Sequence, residues 1–109
     1  MEKIEFRTDK DILYISLEGR IDASNSVEVE NTINEIRKNY QGMHIVLDAD
    51  NLEYISSAGL RVMLRLRKEE QKLAIINVSP EVYSVFEMTG FTEMITIEKT
   101  YRRINVDNC

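Results

Sequence analysis

Short apolar runs and amphipathic stretches of helical period take turns along this chain, and few folds accommodate that order. In Lys3–Thr8, Ile4 and Phe6 alternate with polar residues; in Ile12–Glu18, Leu13, Ile15 and Leu17 fall on one face. That period of two marks half-buried strands. The polar link Asp9-Lys10-Asp11 should turn them into a hairpin, and Gly19 should end the second strand. A first helix is expected over Asn25–Lys38, with Val29, Ile33, Ile36 and Tyr40 inward. Ser24, Asn25 and Ser26 are capping residues, and Asn25 with Glu28 resembles a capping box. Met43–Leu47 is unalternated, as in a strand covered on both faces, and ends in Asp48; Ala49–Ile55 reads as a loop. A second helix should begin at Ser56-Ser57 and run to about Gln71. It would turn Leu60, Met63 and Leu64 inward and Arg61, Arg65 and Lys68 outward. Leu73–Val78 is the next strand. Ser79-Pro80-Glu81 starts a third helix, whose inner stripe is Val82, Val85, Phe86 and Thr89 and whose stop is Gly90. Met94–Ile97 is the last strand, and Glu98–Cys109 is either a short helix or a frayed end.

Strands separated by helices pair in parallel through right-handed crossovers. With the opening hairpin, the expected fold is α/β with a mixed sheet. The chain has 109 residues, the size of one domain, so residues 1–109 are expected to form one, with its core over about 4–97. Hydrophobic residues make up 43% and charged residues 30%, a globular balance. Lys and Arg number 14 against 19 Asp and Glu, a net charge of −5. Nucleic-acid backbones and anionic membranes both demand clustered positive charge, so neither is an expected partner. No apolar run approaches the roughly 20 residues of a membrane span, and the first residues carry no secretory h-region. Cys109 is the single cysteine, which leaves no internal disulfide and no thiolate cluster for a metal. A cytoplasmic protein is expected.

Ligands of open α/β sheets sit beyond the carboxyl ends of the strands. The segments Gly19–Ser24, Asp48–Ser57 and Asn77–Pro80 leave strands there, carrying Asp22, Asp48, Asp50, Glu53, Ser56 and Ser57. A phosphate on Ser57 would be stabilised by a helix N-terminus; equally, both serines could merely cap the helix. Asp22, Asp48 and Asp50 could hold Mg²⁺ beside a phosphate, or could form turns. A serine hydrolase would pair His44 with Ser57, but the first Gly of a nucleophile elbow is missing. Arg61, Arg65, Arg67 and Lys68 read as a solvated helix face, with Arg65 and Glu69 as an i,i+4 pair; a partner contact there is also open.

The stretches Gly19-Arg20-Ile21-Asp22, Ile45-Val46-Leu47-Asp48 and Tyr54-Ile55-Ser56-Ser57-Ala58-Gly59-Leu60 together resemble a STAS domain, in particular the stand-alone anti-sigma factor antagonists. Asn77-Val78-Ser79-Pro80 and Thr89-Gly90-Phe91 fit the same pattern, so the likeness runs from about Ile4 to Ile97. The resemblance implies a mixed sheet with helices mainly on one face, no catalysis, no cofactor and no metal. It implies that the unphosphorylated protein binds an anti-sigma factor and so releases a sigma factor. That anti-sigma factor would also be a serine kinase that ends the complex, and a metal-dependent phosphatase would reverse the modification. The acceptor, two residues before the motif glycine, would be Ser57. Ser56 stands where many members carry Asp and becomes a competing acceptor. The implied partner-contact set is Asp22, Asp48, Asp50, Ser56, Ser57, Gly59 and Arg61. The alternative is a STAS scaffold without a switch, a subunit of a transport or signalling complex.

Overall fold

The computed structural model describes residues 4–100. The expected strand start at Lys3 and most of the tail, residues 101–109 with Cys109, lie outside them. The opening hairpin pairs β1 (Phe6–Asp9) antiparallel with β2 (Ile12–Ile21) across a two-residue turn, with Lys10 left-handed at φ 58°. The chain continues through α1 (Ser26–Lys38), β3 (His44–Ile55), α2 (Ser57–Glu69), β4 (Ala74–Val78), α3 (Pro80–Met88), a 3₁₀ turn at Phe91–Glu93 and β5 (Thr96–Lys99). The strands lie in sequence order, β1 to β5, and every pair after the hairpin is parallel. Successive right-handed crossovers in one direction put the three helices on one face. The mixed sheet and the one-sided helical layer are therefore as expected.

The inner face of β2 buries Leu13, Ile15, Leu17 and Ile21, and β3 adds Ile45, Leu47, Ala49, Leu52 and Ile55. Val29, Ile33 and Ile36 of α1, Val62, Met63 and Leu66 of α2, and Phe86 of α3 close over them. Each of these side chains larger than that of Ala49 contributes about 1.5–3 kcal/mol by leaving water. The opposite sheet face carries half-buried Tyr14, Val46 and Ala74 in register, with Ile76 beside Asp48 on the same face and the Arg7 guanidinium 4.0 Å above the Tyr14 ring.

Several local expectations fail for identifiable reasons. Gly19 does not end β2: at φ 73° it sits in a bulge, between register shifts on either side, and the strand resumes to Ile21. Ala49–Ile55 is not a loop but the second half of β3. Its buried residues, Ala49, Leu52 and Ile55, are three apart rather than two, because the bulged pairing with β2 shifts the pleat. Asn25 forms no capping box: its side chain spans the preceding turn, accepting from Asp22 N–H (2.9 Å) and donating to Arg20 C=O (2.8 Å). In α2, which ends at Glu69, Val62 is buried where Leu64 is only half-buried. Thr89 is exposed, its hydroxyl bonded back to Val85 C=O (2.8 Å). The last strand starts at Thr96, after the 3₁₀ turn, and takes Glu98 and Lys99 from the expected tail.

Candidate functional site

The β3–β4 pairing stops at Asp48↔Ile76, whereas β2 and β3 stay paired to Ile21↔Ile55. The two central strands therefore project past β4 as a two-stranded extension, and α2 starts from its tip. Ser56 N–H donates to Ile21 C=O (2.9 Å) at the junction. Gly59, in the first turn of α2, lies directly on the strand ends. A Cβ there would stand 2.6 Å from Ile55 Cγ1, 2.9 Å from Ile21 Cγ2 and 3.2 Å from Ile21 O. Only glycine permits that approach. Gly59, expected among the partner contacts, is buried and offers a partner no side chain; it seats the helix instead.

The two serines are placed differently. Ser56 is the N-cap, half-buried, and its Oγ accepts from Gly59 N–H at 3.5 Å. Ser57 is the first helical residue and is exposed. Its hydroxyl has no hydrogen-bond partner among the described residues. A group added to that oxygen would face solvent at the positive end of the helix dipole.

Asp22 lies just past the end of β2. Its Oδ1 accepts from the Ser24 hydroxyl (2.6 Å) and Ser24 N–H (3.0 Å). These bonds, the hydroxyl first, outweigh desolvation and hold its carboxyl below the usual carboxylate range.

Asp48 and Asp50 are not loop residues beside Ser57. Asp48 is seven residues short of the end of β3, roughly 20 Å along an extended chain. Its Oδ1 accepts from Asn77 Nδ2 (3.0 Å) and Asp50 N–H (3.0 Å). Asn77 takes the left-handed conformation, φ 60°, where β4 breaks register with β5. Asp50 and Glu53 line a cleft of about 390 Å³ with Ser79 and Glu81 at the start of α3. Of the acidic residues, Asp22 thus lies at the tip, Asp50 and Glu53 line this cleft, and Asp48 is tied to Asn77.

His44 starts β3, at the opposite end of the strand from Ser57, with Nε2 3.9 Å from Asp11 Oδ2. The histidine a hydrolase would need is out of reach. Among the described residues no group of three His, Cys, Asp or Glu side chains is arranged to hold a metal ion. Arg65 does not pair with Glu69. It forms two 2.8 Å bonds with Glu30 of α1, while Arg37 of α1 takes Glu69 (3.0 Å) and Glu70 (2.8 Å). Arg61 is exposed, one helical turn after Ser57. Sequence reasoning missed Arg20 and Tyr54, paired across β2 and β3 below the tip with the guanidinium 4.2 Å from the ring centroid. Tyr54 is 39% exposed and Val27, at the start of α1, 68%. An aromatic residue beside the serine pair was the signal available for Tyr54.

A family model described as the STAS domain matches residues 3–104. An anti-sigma F factor antagonist of Paenibacillus polymyxa is 31% identical over 99 residues, 87% of this chain and 85% of that protein. An anti-sigma-B factor antagonist of Listeria monocytogenes is 27% identical over 104 residues, 92% of this chain and 90% of that protein. Among solved structures, an anti-sigma factor antagonist from Mycobacterium paratuberculosis superposes with a TM-score of 0.78 at 16% identity, over 91% of this chain and 86% of that one.

Proposed function

Since the chain belongs to the STAS domain family, we propose that it is an anti-sigma factor antagonist, a binding module rather than an enzyme, switched by phosphorylation of Ser57. Unmodified, it binds an anti-sigma factor and so frees a sigma factor. The anti-sigma factor doubles as the kinase: Ser57 Oγ takes the γ-phosphoryl group of ATP, ADP leaves, and the hydroxyl proton is released. A metal-dependent serine phosphatase restores the hydroxyl. The names of the relatives support the antagonist role.

One observation carries the choice of acceptor. Ser56 Oγ is turned inward as the helix cap, while Ser57 Oγ is exposed and unengaged among the described residues. A kinase can reach Ser57 without opening the helix start; at Ser56 it would first have to displace the cap. The carboxylate of Asp22 and the exposed side chains of Tyr54 and Val27 at the same end suit a partner with hydrogen-bond donors and apolar contacts.

Incubation with ATP and the cognate anti-sigma kinase, followed by phosphopeptide mapping, tests this. The expected product carries one phosphate, on Ser57, which Ser57→Ala abolishes and Ser56→Ala retains. Phosphate mainly on Ser56 would overturn the assignment. An absence of any phosphate would favour the scaffold without a switch.

A further inference from the structure

We propose that Arg61 is the intramolecular clasp for a phosphate on Ser57, an inference that rests on Ser57 being the modified residue. The described residues include six arginines, and five are engaged. Arg7 and Arg20 stack on Tyr14 and Tyr54, Arg37 and Arg65 pair with carboxylates, and Arg67 Nε donates to Met94 C=O (2.9 Å). Arg61 alone has neither hydrogen bond, ion pair nor ring contact with another described residue. It stands four residues after Ser57 on α2. Residues so spaced on a helix have Cβ atoms about 5–6 Å apart, and acid before base is the favourable order.

The charged groups on the elements meeting at the tip leave no equivalent candidate. Arg20 lies over Tyr54 and within 3.9 Å of Asp22; Arg65 is held by Glu30; Asp22 on the turn and Glu53 on β3 are negative. A phosphate brings a charge of about −1.5 to −2 into this setting. Arg61 can meet it with a charge-assisted hydrogen bond. The switch then works twice over: phosphorylation adds negative charge at Ser57 and withdraws from the surface a cation that a partner could otherwise have met.

The test uses the full chain with phosphoserine incorporated at position 57 during translation, so no kinase is needed. The ³¹P titration midpoint of the phosphate should be roughly 0.3 pH unit lower in the Arg61 protein than in Arg61→Gln, and Arg61→Lys should recover part of the shift. The unphosphorylated Arg61→Gln variant should melt with the parent, because Arg61 has no partner to lose. Equal midpoints with and without Arg61 would overturn the clasp, whatever any kinase does. A present shift in a protein that no anti-sigma kinase modifies would leave the clasp standing and remove the proposed function.

Discussion

The two ends of α2 are held by different physics. Its last turns are laced to neighbouring elements by Arg65–Glu30, Arg37 with Glu69 and Glu70, and Arg67 to the Met94 carbonyl. Its first turn has no ion pair among the described residues, only the 3.5 Å cap from Ser56 and the close seat of Gly59 on Ile21 and Ile55. One end therefore spends its polar groups on structure. The other is fixed by apolar contact, which leaves a hydroxyl and a guanidinium uncommitted. An anchored frame with an unspent chemical end is what a modification site on a rigid element requires.

The harshest way to break this contrast is Gly59→Ala. In an exposed helix that change would stabilise by about 0.5–1 kcal/mol. Here the new methyl would stand 2.6 Å from a side-chain atom of Ile55, itself 3% exposed and with nowhere to move. Urea denaturation should show a loss of about 1–3 kcal/mol instead. A gain in stability would mean that packing does not seat this end.

Much of the fold was legible because its signals are local. Ser79-Pro80 caps α3 as expected, with Ser79 Oγ accepting from Val82 N–H (3.3 Å), and α1 stops at Lys38 as expected. The extension of β2 and β3 was not legible. A bulge at Gly19 and a three-residue spacing in Ala49, Leu52 and Ile55 each read as the end of a strand, and only their mutual pairing makes them continuous. For the same reason the local pattern suggests Asp48 and Asp50 in a loop beside Ser57, whereas they lie along the strand. The serine pair was visible in the sequence; which one caps and which one is exposed depends on where β3 ends. Arg65–Glu30, 35 residues apart, displaced the helical pair with Glu69 because no local pattern records a neighbour from another helix.

Charge at the uncommitted end should show in binding. Ser57→Asp should weaken affinity for the anti-sigma factor at least about tenfold, or about 1.4 kcal/mol, and Ser57→Ala should leave it nearly unchanged, by calorimetry. Equal affinity for Ser57→Asp and the parent would detach the switch from charge. The cap sharpens the distinction between the serines. Ser56→Ala should cost about 0.5–1 kcal/mol, at the weak end of the range for a lost N-cap, while Ser57→Ala should cost almost nothing in the same unfolding experiment.

The smallest effect belongs to the anchored end. The Arg65 hydrogen bonds hold the Glu30 carboxyl below its usual 4.5. A depressed carboxyl contributes stability above its unfolded value, and that contribution fades as pH falls through the folded one. Glu30→Gln should therefore flatten the acid limb of the stability curve below about pH 4.5, by only about 0.2–1 kcal/mol, because Arg65 is half exposed. An acid limb unchanged by the substitution would show that the pair contributes nothing.

The central claim is that Ser57 can gain a phosphate without disturbing the anchored end of its own helix. Backbone chemical shifts of the chain with and without phosphoserine at position 57 test it directly. Changes should be confined to residues 20–25 and 54–62. Shifts at Arg65–Glu69 of α2 and at Glu30–Arg37 of α1 would show the two ends moving together, and would contradict it.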